Sequence, residues 1–116
     1  MHLRIINVPE GELEKRIKLG LSEKDEDWII IHHPKYSYKI QGRTLDLLLR
    51  FLAEAIEEKE QRIFEDNNYK LSFKKLKNVF VMSESKRREG GEITVITVRI
   101  LNFGLFRDII KKVWML

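Results

Sequence analysis

The run from Thr44 to Asp66 constrains the chain most, because it is the longest stretch whose apolar residues recur with a helical period. Leu45, Leu48, Leu49, Leu52, Ile56 and Ile63 fall on one face, the pattern of an amphipathic helix. Thr44 is the expected N-cap, after Gly42, with Asp46 in the first turn near the positive end of the dipole. Asn67 and Asn68 mark the stop, since asparagine tolerates the left-handed conformation that ends many helices. The pattern predicts a helix roughly 33 Å long. Leu47 and Phe51 lie on the opposite face, so the first half is apolar nearly all round and needs cover on two sides. A sheet is expected on one side, and a second helix or a second subunit on the other. From Glu54 to Asp66 six acids face only Lys59 and Arg62, a net of −4, so with the chain at +4 the remainder carries +8.

Around this element the strand signals come in sequence. Leu3 to Val8 predicts a short strand ended by the Pro9–Gly11 turn. Leu13, Ile17 and Leu21 fit a helix, whereas Ile17, Leu19 and Leu21 alternate with polar residues and Gly20; the glycine favours a strand from Arg16 to Ser22. Trp28 to His33 is a strand with apolar side chains pointing both ways, interrupted by Pro34. The next piece alternates strictly, with Tyr36, Tyr38 and Ile40 on one face and Lys35, Ser37 and Lys39 on the other. After the helix, Tyr69–Phe73 and Val79–Met82 are strand pieces separated by the basic KKLKN. Glu92 to Leu101 is rich in β-branched residues and pairs back on Val79–Met82 through the KRREGG turn. Leu105, Phe106, Ile109, Ile110 and Val113 form one face of a closing helix from Leu105 to Leu116, with Arg107, Lys111 and Lys112 opposite.

These elements predict an α+β fold: a mainly antiparallel sheet carrying one long central helix and a shorter C-terminal amphipathic helix. From Lys35 onward the order β-α-β-β-α resembles a ferredoxin-like unit lacking its final strand, a gap the amino-terminal strand would fill. That is a likeness of layout and implies no function.

Composition narrows the classes. A chain of 116 residues with 43% hydrophobic content is expected to be a single domain, residues 1–116, that folds without staples. With no cysteine, disulfides and thiolate metal sites are excluded. The amino terminus has no long apolar region of a signal peptide, and no run approaches the roughly 18 apolar residues of a membrane span. The expectation is a soluble, intracellular (cytoplasmic) protein. Abundant Lys, Glu and Ile with only two Gln and five Asn point to a thermophilic source, archaeal or viral.

No catalytic or cofactor motif survives. His32 and His33 are neighbours on a strand, so their side chains diverge unless Pro34 forces a bulge, and neither H-E-x-x-H nor His-hydrophobe-His spacing occurs. Phosphate loops, the G-x-S-x-G elbow and a nucleophilic cysteine are all missing. No metal, cofactor or small-molecule substrate is therefore expected, and no enzyme. What remains is basic: Lys86, Arg87 and Arg88 tip a hairpin, Lys74, Lys75 and Lys77 sit before it, and Lys35 flanks Tyr36 and Tyr38. Cations neutralise phosphates and tyrosines stack on bases, so the sequence predicts a non-enzymatic binder of DNA or RNA backbone through these nine residues. An apolar surface built on Leu47 and Phe51 also predicts a homodimer, and the alternative function is a homodimeric interaction module, an inhibitor or assembly factor, acting through that surface.

Overall fold

The computed structural model describes residues 4–21, 26–54 and 61–114. Strands β1 (Arg4–Val8), β5 (Gln61–Glu65), β6 (Tyr69–Leu76), β7 (Val79–Arg88) and β8 (Gly91–Ile100) form a five-stranded sheet in the order β1-β8-β7-β6-β5. Its neighbours run antiparallel except β1, which lies parallel to β8. A second, three-stranded antiparallel sheet contains β2 (Ile17–Gly20), β3 (Trp28–His33) and β4 (Tyr36–Gln41). The helices are α1 (Leu13–Arg16), entered through a 3-10 turn at Glu10–Glu12, α2 (Gly42–Ala53) and α3 (Phe103–Trp114).

Alternation decides which face of the large sheet is inside. Ile6 and Val8, Leu71 and Phe73, Phe80 and Met82, and Ile96, Val98 and Ile100 are buried and lie opposite one another across the strands. Against that face pack Ile29, Ile31 and Ile40 of the small sheet, Leu45, Leu48, Phe51 and Leu52 of α2, and Phe103, Phe106 and Ile110 of α3, in one continuous cluster. Phe80 is its hub, with ring centroids 5.9 Å from Phe51, 6.3 Å from Phe73 and 5.2 Å from Phe106. The opposite face is open at Ile5, Ile63, Lys74 and Arg99, which are exposed, and closed at Ser85, which is buried.

The α+β architecture stands, but the long helix does not. Helix α2 ends at Ala53, Glu54 is already extended, and both α2 and α3 are 12 residues long. Residues 55–60 lie outside the described part of the chain. Gln61–Glu65, assigned to the helix by its period, is the edge strand β5. The apolar stripe is broken at Lys59 and Glu60, and Phe64, which the helical pattern leaves unused, packs in β5 at 6.0 Å from Phe73. Pairing with β6 then satisfies the backbone that a solvent-facing acidic helix would have carried alone.

Other boundaries shift for local reasons. KKLKN does not separate two strands; β6 continues through Leu76, and Lys77, at φ 55°, turns the chain directly into β7. The β7–β8 hairpin forms as expected over KRREGG, with Gly90 and Gly91 at positive φ. Residues 13–16 are helical and 17–20 extended, because Gly20 lies under the Trp28 indole, where a Cβ would come within 2.1 Å of the ring. Helix α3 starts two residues early because Asn102 caps it, its side-chain oxygen accepting the Leu105 amide at 2.9 Å. The ferredoxin-like layout is not formed: β4 belongs to the small sheet, although β1 does join the large one, at its edge.

Candidate functional site

The large sheet separates the basic residues that the sequence groups together. Lys86 pairs with Tyr69 at one end of β6, and Val79 pairs with Leu76 at the other. At about 3.3 Å per residue the hairpin tip and the Lys74–Lys77 segment therefore stand roughly 23 Å apart. Carboxylates also crowd the tip. Arg87 bonds Glu65 and lies 3.8 Å from Glu92, and Lys70 lies 3.5 Å from Glu92. Lys86 is exposed without an ion pair among the described residues, and the Arg88 side chain lies outside the described part of the chain.

Both tyrosines make contacts within the fold. Tyr38 points inward, its hydroxyl donating to Glu84 Oε1 at 2.5 Å. Burial, and then the charge of Glu84, pushes this phenol well above the ordinary tyrosine range. Tyr69 reaches the same carboxylate, and burial pushes it up to about 12 against the opposing effects of Thr44 and Arg43. Glu84 continues the inward series Phe80, Met82, Glu84, so two phenols solvate a carboxylate at the border of the core. Tyr36 has His33 stacked on its ring at 4.2 Å and the Arg4 guanidinium over it at 5.1 Å, while its hydroxyl donates to the Ile5 carbonyl. Phe51 is 1% exposed and sits in the core against Phe73 and Phe80, so it forms no surface; Leu47 is half-buried and lines a cavity of about 160 Å³ beside Phe64 and Tyr69.

The Lys74–Lys77 end is different. The cross-strand row Lys74–Val81–Arg99–Asn7 lies on the outward face, and Lys74 and Arg99 are exposed without an ion pair among the described residues. One row further on, Ser72, Ser83 and Thr97 form a hydroxyl ladder, Ser83 and Thr97 being 3.2 Å apart. Val95 is an extra residue in β8 opposite the Glu84–Ser85 step, and this bulge turns Thr94 outward to meet Ser85 at 3.3 Å. Lys77 is exposed in the turn, and Lys75 lies across the Phe103 ring at 5.2 Å. Arg99 was not singled out by composition, although its place between Val98 and Ile100 in an alternating strand directs it outward.

At the β1 edge, Arg16 joins the two sheets, donating from Nε to the His32 carbonyl at 2.9 Å and from Nη1 to the Asn7 carbonyl at 2.8 Å. No spacing in the sequence announces this residue. Among the described residues no group of three potential ligands is placed to hold a metal ion, and no helix is long and apolar enough to cross a membrane. Comparison with protein-family models, curated proteins and solved structures finds no match to this chain.

Proposed function

We propose that the protein binds nucleic-acid backbone without catalysis, on the outward face of the five-stranded sheet instead of at the hairpin tip. The observation that supports this reading is the row containing Lys74 and Arg99, two exposed cations without a carboxylate partner among the described residues. Lys77 extends the positive end of the face, and the Ser72, Ser83 and Thr97 hydroxyls supply hydrogen bonds suited to phosphate and sugar oxygens. With the tyrosines engaged elsewhere, the contact is to backbone and carries little sequence preference.

The test is a mobility shift on single- and double-stranded probes across a salt series. Wild-type affinity should fall steeply with salt, and Lys74→Ala/Arg99→Ala should lower the slope of log K against log salt by about 2. Lys86→Ala/Arg87→Ala should change it far less. An equal loss in both double variants, or no binding at low salt, would refute the assignment.

A further inference from the structure

The cavity of about 160 Å³ beside α2 takes its walls from two places that the fold brings together. One is the inner face of the β5–β6 pair. Phe64 faces Leu71 across the ladder, and the next row on that face holds Asp66 and Tyr69, where the Asp66 amide donates to the Tyr69 carbonyl at 2.9 Å. The other is the first turns of α2, where Arg43, Thr44 and Leu47 share one side at helical spacing. The two meet at Tyr69, whose hydroxyl lies between Thr44 and Glu84 and within the field of Arg43. Leu47, Phe64 and Leu71 make an apolar floor, and Arg43 and Asp66 bring opposite charges to the rim.

These two charges are left unsatisfied by the protein. Among the described residues no ion pair joins Arg43 to Asp66 or either of them to another side chain, whereas Glu65, the second acid of the lining, is bonded to Arg87. Asp66 Oδ1 accepts the Asn68 amide at 2.8 Å, which fixes the carboxylate and leaves its second oxygen to accept from a ligand.

We propose that this cavity binds a free amino acid with an apolar side chain. Arg43 takes the α-carboxylate, Asp66 takes the α-ammonium, and Leu47, Phe64 and Leu71 enclose the side chain. A plain carboxylate would set an anion against Asp66, and a plain amine would set a cation against Arg43; the zwitterion satisfies both. An apolar cavity of about this volume accepts benzene, so the floor has room for a side chain the size of leucine. Phe64 and Leu71 pack with the core, so the site is separate from the Lys74–Arg99 row and does not depend on nucleic-acid binding there.

The experiment follows the Leu47 and Leu71 methyl resonances by NMR as L-leucine is added at constant ionic strength. Both should shift saturably. Arg43→Ala and Asp66→Asn, each at an exposed position, should weaken binding about 10-fold, and Lys74→Ala/Arg99→Ala should leave the isotherm unchanged. Isocaproate, which is leucine without its ammonium, and isoamylamine, which is leucine without its carboxylate, should each bind about 10-fold more weakly than leucine. Methyls that leucine does not move, either analogue binding as well as leucine, or a wild-type isotherm in either charge variant would overturn the proposal.

Discussion

Replacing Tyr38 by Phe tests the polar cluster at the border of the core, because it deletes one oxygen and keeps the ring. The hydroxyl donates to Glu84 at 2.5 Å, and without it a half-buried carboxylate keeps only Tyr69 as a phenol donor. A hydrogen bond to a charged group contributes about 1.5–3 kcal/mol, so Tyr38→Phe should lose about 2 kcal/mol at neutral pH. In a domain of this size that lowers Tm by roughly 8 °C. The alkaline limb gives a second, independent reading. An unfolded tyrosine ionises near pH ~10, whereas the native state holds the Tyr69 proton up to about 12 and the Tyr38 proton beyond that. Native protein thus keeps protons that the unfolded chain releases. Stability from these groups is whole below about pH 10 and is lost as pH rises above it. Tyr38→Phe removes one of the two retained protons, so its stability should fall less steeply there, by about 1.4 kcal/mol per pH unit, and the gap to wild type should narrow. Urea unfolding at a series of pH values measures both effects. Equal alkaline slopes, or a neutral-pH loss below about 0.5 kcal/mol, would refute the picture of a carboxylate held by phenols.

Further outcomes follow from particular contacts. Asn102→Ala removes the α3 cap and its bond to Asn78, and should cost about 1–2 kcal/mol by chemical denaturation without changing the far-ultraviolet spectrum of the folded state. Gly20→Ala drives a Cβ into the Trp28 ring and should cost about 1–3 kcal/mol, with a change in tryptophan fluorescence as the indole moves. Phe51→Ala opens a cavity at the hub of the aromatic cluster and should cost about 3–5 kcal/mol. Phe51→Glu should unfold the chain instead of merely splitting an oligomer, as light scattering alongside circular dichroism would reveal.

Short-range patterns carried most of what was legible. The alternation of β4, the KRREGG hairpin and the β-branched β8 each express their pairing within ten residues or fewer. The helix over Thr44–Asp66 failed where Gln61–Glu65 supports either period, and the choice was made by a distant partner, β6, together with Phe73. The face of a strand follows from parity, so an outward Arg99 and an inward Glu84 are recoverable from the sequence, whereas a run of consecutive basic residues fixes no common face. The contact of Arg16 with the His32 carbonyl was not recoverable, because it depends on α1 coming alongside β3. Nor was the neutralisation of Arg87, whose partner Glu65 is 22 residues away in sequence.

The β1 edge of the large sheet is also where the small sheet is fixed to it. An open strand edge invites pairing with another chain. At β1 the outward carbonyls of Ile5 and Asn7 are taken by the Tyr36 hydroxyl and by Arg16. These side chains come from the small sheet and the short helix before it, so the contact that closes the edge also fixes the second sheet to the first. Removing Arg16 should therefore expose an edge and loosen the sheets together, a loss of stability that urea unfolding measures.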